Sequence, residues 1–418
     1  MSVSEAEVVG QDPIVPTEAE PRGLAGLYRR GIDNLKSGNL GVLPIVLGIA
    51  FIVVFFSFKA TNFFTANNFD NVIIQMAGTA MLAYGVVFIL LLGEIDLSIS
   101  YVAGIGAITV AELQLAGSGH VVNGLLAMVI AIAICALIGG VQGSIVAFVG
   151  VPSFVVTLAG FLIWQGVILQ VLEQRGSIII EDRWINYTAS YFFSDAAGWI
   201  IAAVISGIYA LTVLGGVLGK RRAGIVIGNP GLVIAKLIGV AVAAFGVVAV
   251  TNHAKVPHGL PLAGVLVVIF LVVLTFLAKR TTFGRHVYAV GGNAEAARRA
   301  GINVPRIRIL VFMISGAMAA IGGIILAANV NSVDLNFGGG TLLLNSIASA
   351  VIGGVSLFGG RGEVRAAFLG ALVIATVSNG LNTAGYANGV IYVVTGVILL
   401  LAVTLDTIAR RLQVRSGR

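Results

Sequence analysis

Charged residues are scarce in this sequence, because Asp, Glu, Lys and Arg together make up only 10% of its 418 residues. An ordinary soluble protein carries roughly a quarter. Hydrophobic residues account for 58%, which is more apolar surface than soluble domains of this size can enclose in their cores. A large soluble enzyme is therefore excluded, and much of the apolar surface must face lipid.

Motifs for covalent chemistry are also missing. The single cysteine, Cys135, excludes an intrachain disulfide and a cysteine metal site. The closest approach to a phosphate-binding loop is Gly219-Lys220, but Arg221 follows where Ser or Thr is required. Zinc-protease and serine-hydrolase motifs are absent, and the four histidines are far apart. We expect no catalytic residue, no metal and no cofactor.

Long apolar runs dominate the rest of the chain. Runs near twenty residues are long enough to cross about 30 Å of hydrocarbon as helices. The candidate spans are 41–58, 72–93, 101–117, 121–149, 153–173, 198–218, 232–250, 260–278, 306–328, 341–358, 364–382 and 388–406. They are continuous rather than alternating, which favours an all-α, polytopic membrane protein over a β-barrel.

Two glycine-rich segments complicate the count of spans. Residues 93–97 read Gly-Glu-Ile-Asp-Leu and residues 353–357 read Gly-Gly-Val-Ser-Leu, each after an apolar run. The similarity is either a trace of an internal repeat with broken helices or chance between two glycine-rich segments. If either segment is re-entrant, ten or eleven of the twelve spans cross completely.

Basic residues indicate the orientation, because Lys and Arg near span ends stay on the cytoplasmic side. With the N-terminus inside, all but four of the 25 Lys and Arg residues lie in or beside cytoplasmic segments. The net charge of +7 is therefore interpreted as a topology signal and not as nucleic-acid binding. We predict an acidic, largely disordered cytoplasmic tail over 1–40, a transmembrane domain over 41–409, and a basic cytoplasmic tail over 410–418.

The longest and most basic cytoplasmic loop covers 279–308 and contains the pattern of a short helix. Asn293 is a plausible N-cap, Glu295 suits the first turn, Arg298 suits the last turn and Gly301 suits the C-terminal cap. Topology alone explains the charges but not the caps. The pattern therefore favours a docking element for a cytoplasmic partner.

At this loop the sequence resembles a known family. Glu295-Ala296-Ala297 followed by Gly301 resembles the Glu-Ala-Ala-x-x-x-Gly coupling motif of bacterial ABC importer permeases. The run from Thr282 to Ile309 resembles the same loop in the monosaccharide branch of the branched-chain amino acid and sugar permease family. The three further stretches similar to that branch are Gly93–Ser98, Val151–Phe154 with Thr157 and Leu158, and Gly353–Gly360.

The resemblance implies a type II ABC importer arrangement in the bacterial cytoplasmic membrane. Two permease chains, expected to be identical, would form the pathway for a monosaccharide. A separate ATPase chain would dock on the coupling helices, and an extracytoplasmic sugar-binding protein would deliver the ligand. The residues it assigns to ATPase coupling are Asn293, Glu295, Ala296, Ala297, Arg298 and Gly301.

Two departures from the family pattern refine the expected substrate. Glu94 replaces the more common second glycine, and residues 195–258 supply two extra spans before the coupling loop. Both features resemble xylose permeases more than the shorter ribose permeases. Xylose is therefore the leading substrate, followed by other pentoses and hexoses.

Polar residues inside spans are candidates for the sugar pathway, and each of them can instead hydrogen-bond between helices. The candidates are Gln75, Asp96, Trp164, Gln165, Asn345, Asn379 and Asn382. Asp96 differs from the others because a buried charge needs a partner. We hypothesise that it stabilises a broken helix or gates the pathway.

Two other functions compete with the sugar importer. An ion-coupled secondary transporter needs carboxylates inside the membrane, and Glu112 is the acid that lies well inside a candidate span. A position near the membrane interface explains Glu112 more simply than a proton site. An ABC permease for lipids or peptides would dock its ATPase through the same kind of cytoplasmic helix. Only the resemblance at Gly93–Ser98 disfavours this function.

Overall fold

The computed structural model describes residues 43–115, 121–224, 230–255 and 257–415. The predicted tail over 1–40 and the last three residues of the predicted tail over 410–418 lie outside the described residues. Helices fill almost all of the described chain, and every one of the twelve predicted spans coincides with a helix.

Fifteen α-helices are present in the described part of the chain. They are α1 (Leu43–Lys59), α2 (Ala66–Leu91), α3 (Ile99–Gln114), α4 (Gly124–Ser144), α5 (Ser153–Leu172), α6 (Arg183–Ser190), α7 (Asp195–Arg222), α8 (Pro230–Thr251), α9 (Leu262–Arg280), α10 (Thr282–Gly292), α11 (Ala294–Arg299), α12 (Val304–Val330), α13 (Gly340–Ile352), α14 (Val364–Thr383) and α15 (Asn388–Arg415). A π-helical turn, Ile145–Val149, extends α4.

Eight of these helices are long and apolar enough to cross a membrane. Apolar residues form helices here because lipid offers the backbone no hydrogen-bond partner, so each segment must satisfy its own N–H and C=O groups. The shorter apolar helices lie in α1, α3, α13 and α15. The prediction of an all-α, polytopic membrane protein is therefore confirmed.

Small residues of α12 bring it into backbone contact with the neighbouring helices. A Cβ added at Gly316 would lie 2.1 Å from the carbonyl oxygen of Cys135 on α4, and one at Gly323 would lie 2.0 Å from that of Ala103 on α3. Small residues allow such close approach between membrane helices. Together with the largely buried α2, α12 forms the centre of the fold.

The connections between helices separate into two groups at opposite ends of the molecule. At one end, β1 (Ser177–Ile179) pairs antiparallel with β4 (Ser332–Asp334), and β2 (Phe192–Phe193) pairs with β3 (Leu260–Pro261). We call this the strand end. The opposite end carries α10 and α11, and we call it the basic end. This segregation follows the alternation of loops predicted from the sequence.

Two helices, α3 and α13, start inside the protein instead of at its surface. The C-terminal Gln114 of α3 hydrogen-bonds Ile179 and Asp182 at the strand end. Ser100 lies 14 residues earlier, about 21 Å along the axis. A Cβ added at Gly338 would lie 2.7 Å from the Ser100 carbonyl oxygen. After β4 the chain therefore runs from the strand end into the protein, and α13 begins there. The predicted broken helices are therefore present.

The acid at the end of α3 has a simple structural role. Glu112 accepts a hydrogen bond from Arg175 at 2.8 Å, and both side chains are partly exposed. This pair lies at the strand end, where α3 finishes. The simpler interpretation of Glu112, an acid near the membrane interface, agrees with this contact.

The two spans within 195–258, α7 and α8, form a peripheral hairpin. In α7 only Gly198 and Ala202 are buried, and in α8 only Val248 and Thr251. The hairpin is held at the strand end by the β2–β3 pairing and by His258 Nε2, which lies 2.7 Å from Asp195 Oδ1. The core of the protein is complete without it.

Substitution of Gly316 tests the close crossing of α12 and α4. We expect Gly316→Ala to lower the melting temperature in detergent, because its Cβ would overlap the Cys135 carbonyl oxygen; overpacking of this kind costs roughly 1–3 kcal/mol. Gly207→Ala on α7 is the matched control, since nothing lies within 4 Å of that Cβ position. Equal melting temperatures for the two variants would contradict this description of the crossing.

Candidate functional site

A short capped helix lies at the basic end, as predicted. The hydroxyl of Thr281 accepts the Gly284 N–H at 3.1 Å and starts α10. Asn293 ends α10 and also caps α11, because its side-chain oxygen accepts the Ala296 N–H at 2.9 Å. Two helices therefore meet at one residue, which fixes the direction in which α11 leaves α10.

The two faces of α11 differ in character. Ala297 is buried, whereas the side chains of Glu295, Arg298 and Arg299 are at least half exposed. Glu295 lies 2.8 Å from Arg298 and 3.1 Å from Arg299. Hydrogen bonds from the two guanidinium groups lower the pKa of Glu295 below its usual value. The outer face is thus an exposed cluster of paired charges.

The end of α11 is formed as the caps predict. Gly301 has φ +85°, the left-handed region that glycine enters without steric cost. Its N–H donates to the Arg298 carbonyl at 3.0 Å. The chain then turns directly into α12, which begins after Asn303.

Three backbone segments meet directly behind α11. We call this contact the glycine junction, and it consists of Gly93, Gly291, Gly359 and Gly360. The Gly360 N–H donates to the Leu91 carbonyl at 2.9 Å. A Cβ added at Gly291 would lie 1.7 Å from that same carbonyl oxygen, and one at Gly359 would lie 2.7 Å from the Gly291 oxygen.

The glycine junction requires glycine for two reasons. Gly93, Gly359 and Gly360 have φ of 76°, 84° and 68°, which other residues adopt only with strain. Gly291 lacks that constraint but has no room for a side chain. The junction connects the end of α10 to the segment after α2 and to the 353–363 loop, and it unites three of the four motifs that carry the family resemblance.

The segment between α2 and α3 is unwound, and the fourth motif supplies its hydrogen bonds. The Ser153 hydroxyl accepts the Ile95 N–H at 3.1 Å, and the Thr157 hydroxyl accepts the Leu97 N–H at 3.0 Å. Both hydroxyls belong to the first two turns of α5. Unwound backbone at membrane depth is tolerated only where such partners exist, so the Val-Pro-Ser-Phe region stabilises the Gly-Glu-Ile-Asp-Leu-Ser region.

Asp96 lies at the centre of this unwound segment and is 7% exposed. Its carboxylate accepts the Ser98 N–H at 2.9 Å, the Ser98 hydroxyl at 2.7 Å and the Ser315 hydroxyl at 3.1 Å. The Ser98 hydroxyl also lies 3.1 Å from the side-chain oxygen of Gln142. Asp96 therefore ties the broken helix to α12, and through Ser98 it reaches α4.

Glu94, which stands where the sequence analysis expected a glycine, faces the 279–308 loop. Its carboxylate lies 3.1 Å from the guanidinium Nε of Arg308, and the Glu94 side chain is only 14% exposed. Arg308 is in the second turn of α12, just after α11. This pair gives the unwound segment a second connection to the 279–308 loop.

The 353–363 loop is also fixed to α10. The Tyr288 hydroxyl donates to the Gly362 carbonyl at 2.7 Å. Glu363 forms ion pairs with Lys279 and Arg365. Partial burial raises the pKa of Glu363, but hydrogen bonds from Lys279 and Arg365 outweigh it and leave the pKa below its usual value. The loop is thus held to α10 by a hydrogen bond and to the end of α9 by an ion pair.

The predicted pathway residues do not form one cluster. Gln75 lies on α2, Trp164 and Gln165 on α5, Asn345 on α13, and Asn379 with Asn382 on α14. Among the described residues, no hydrogen bond or ion pair joins any two of the seven candidates. The Gln165 side chain lies close to Tyr101 near the start of α3, whereas the Asn379 oxygen is buried without a partner in the described chain.

Sequence reasoning missed several residues of this site. We call Asp96, Ser98, Ser315 and Gln142 the Asp96 group. Ser315 and Gln142 were missed, although isolated polar residues in apolar spans were the available signal. Asp70 was missed because the predicted span began at residue 72, whereas α2 begins at Ala66. Asp70 is 1% exposed, and neither carboxylate oxygen has a hydrogen-bond partner among the residues described.

Comparison with known proteins identifies the family. The chain is 33% identical over 386 residues to the xylose transport system permease protein of Escherichia coli (strain K12), covering 91% of this chain and 95% of that protein. It is 30% identical to the ribose import permease protein of the same strain, covering 86% and 92%, and 27% identical to its D-allose transport system permease protein, covering 89% and 91%.

No solved structure matches the chain significantly. Residues 68–403 match the family described as branched-chain amino acid transport system / permease component. That range is well over half of the chain and contains the unwound segment, the glycine junction and α11. The chain therefore belongs to the branched-chain amino acid transport system permease family.

Proposed function

We propose that this chain is the membrane-spanning subunit of an ATP-driven monosaccharide importer. The observation that carries the proposal is the capped helix α11, whose charged face is exposed while its base is joined through the glycine junction to the broken helix. The relatives named for xylose, ribose and allose support a sugar as the substrate. As a member of a permease family, the chain is a transport subunit and not an enzyme.

The proposed orientation places the basic end in the cytoplasm, with both termini on that side of a bacterial inner membrane. Basic residues are concentrated at this end, as retention of positive charge on the cytoplasmic side requires. A separate ATPase would then dock on α11, and a sugar-binding protein would dock on the strand end. A second copy of the chain would complete the pathway.

The proposed mechanism uses α11 as the moving contact. ATP binding by the partner would displace α11 and α10 together, because Asn293 belongs to both. The glycine junction would pass this displacement to Leu91 and Gly93, and so to the unwound segment held by Asp96. The pathway would alternate between outward and inward access without any covalent step on this chain.

Xylose is the proposed substrate among the monosaccharides. Of the three relatives compared, the xylose permease has the highest identity to this chain. Glu94 and the two spans within 195–258 also resemble xylose permeases more than ribose permeases. We expect cells that carry this chain, its ATPase and its binding protein to take up labelled xylose, with ribose and glucose competing weakly. Preferential uptake of ribose would overturn xylose but leave the importer in place.

Reversal of charge on α11 tests the docking role. We expect Glu295→Arg to abolish ATPase association and uptake, because it places a third cation beside Arg298 and Arg299. Co-purification of the ATPase and sugar uptake are the measurements. Glu173→Arg, at an exposed position where α5 ends at the strand end, is the control and should behave like the wild type. Normal uptake by the Glu295 variant would contradict the proposal.

The glycine junction offers a second test on adjacent residues. We expect Gly291→Ala to retain the ATPase but to lower uptake by roughly tenfold, a loss of about 1.4 kcal/mol of coupling, because its Cβ would displace Leu91. Gly292→Ala should be near normal, since nothing lies within 4 Å of that position. Equal uptake by the two variants would show that the junction does not transmit motion.

One observation favours an ion-coupled carrier as the second candidate. Asp70 is a buried carboxylate without a hydrogen-bond partner in the described residues, and such groups often mark ion pathways. Under this alternative, uptake would survive deletion of the ATPase, fall on addition of a protonophore and be lost in Asp70→Asn. Under the importer proposal, deletion of the ATPase alone abolishes uptake.

A further inference from the structure

An apolar slot lies between three helices near the strand end. One wall is formed by Leu262, Leu266 and Phe270 of α9, and the others by side chains within 125–132 of α4 and 321–325 of α12; the volume is about 590 Å³. The wall residues are aliphatic side chains, methionine and phenylalanine apart from small residues between them. None of these residues belongs to the Asp96 group, the glycine junction or α11.

The slot occupies one leaflet of the membrane. Helices α4 and α9 begin at Gly124 and Leu262, so their walls cover the first eight or nine residues of each helix, about 12 Å at 1.5 Å per residue. The wall on α12 lies within about 14 Å of its end at Val330. Half of a hydrocarbon core is about 15 Å thick. The slot therefore has the depth of one layer of acyl chains.

Helix α6 closes the slot at the membrane interface. It is amphipathic, with Ile185 and Ala189 buried, and Trp184, Tyr187 and Tyr191 line the mouth of the slot while remaining about 36–39% exposed. Tryptophan and tyrosine are enriched where hydrocarbon meets the head groups. The mouth is thus built for a molecule that is apolar inside and polar at its end.

Three charged residues lie in sequence beside the mouth, namely Glu181, Asp182 and the exposed Arg183. The Arg183 guanidinium lies 4.9 Å from the centre of the Trp184 ring. Asp182 holds this part of the chain in place, because its carboxylate accepts the Trp184 N–H at 2.8 Å and the Gly124 N–H at 3.2 Å. An arginine at this level suits a phosphate group.

The chemistry of the slot distinguishes between possible occupants. A phospholipid has an apolar chain and a polar head group, which match the apolar walls and the aromatic mouth of the slot. A sugar is excluded by the apolar walls. A helix from a second copy of the chain would match the walls but would not use the tryptophan and tyrosine side chains at the mouth.

We propose that this slot binds one acyl chain of a phospholipid, with its phosphate beside Arg183 and Trp184. The lipid would fill the space between α9 and the α4–α12 pair in the leaflet at the strand end. Because α9 leads directly into α10 through Thr281, the lipid would support the helix from which the coupling loop extends. This inference does not depend on which solute is transported.

Native mass spectrometry of the purified full-length permease tests the proposal. The protein is washed with detergent, and palmitoyl-oleoyl phosphatidylglycerol is then added. We expect the wild type to retain one phospholipid per chain and Leu266→Trp, which fills the slot from α9, to bind it at least about tenfold more weakly. Ile269→Trp is the control, because that residue is on the lipid-facing side of α9 and is 48% exposed.

Equal binding by Leu266→Trp and the wild type would overturn the proposal, as would an equal loss in Ile269→Trp. Met128→Trp fills the slot from α4 and gives the same test if the first variant does not fold. Arg183→Gln should weaken phosphatidylglycerol binding severalfold while leaving the fold intact. Disulfide formation between two copies carrying Met128→Cys and Cys135→Ser would show that a second copy, and not a lipid, covers the slot.

Discussion

Every backbone polar group at membrane depth needs a partner, and this constraint determines the architecture. Most segments satisfy it as continuous helices. The segment between α2 and α3 does not, and its N–H groups instead use the hydroxyls of Ser153 and Thr157. Because those hydroxyls sit on successive turns of α5, the unwound segment has a fixed register against that helix. The rest of the site is built around this irregular segment.

The unwound segment between α2 and α3 lacks the regular backbone hydrogen bonds of a helix, so the two helices are not joined as one rigid body. A continuous helix transmits displacement as a rigid body, whereas the segment from Gly93 to Ser98 is held by individual side-chain contacts. Asp96 accepts three of these contacts, and Glu94 contacts Arg308 near the start of α12. Two of the three donors to Asp96 are the hydroxyl groups of Ser98 and Ser315. Because a hydroxyl group can rotate to another acceptor, these contacts suit a segment that changes conformation.

The sequence was sufficient to predict the helices, the alternation of the loops between the two ends and the capped helix α11. Those features depend on local patterns such as run length, caps and placement of charge. The glycine junction was not predictable, because Gly93, Gly291 and Gly359 are separated by more than 60 residues and their contact depends on tertiary packing. The start of α2 was also misplaced, since the polar residues Asn67, Asn68 and Asp70 interrupt the apolar run although Thr65 caps the helix there.

The peripheral hairpin of α7 and α8 has its two ends side by side. Pairing of β2 with β3 places Phe193 next to Leu260, so the chain leaves the core and returns to it at one point. The number of residues between Phe193 and Leu260 therefore does not affect how the remaining helices pack. Such an arrangement would allow the hairpin to be shortened or lost without moving the remaining helices, and substitutions on its exposed surface would not disturb the core.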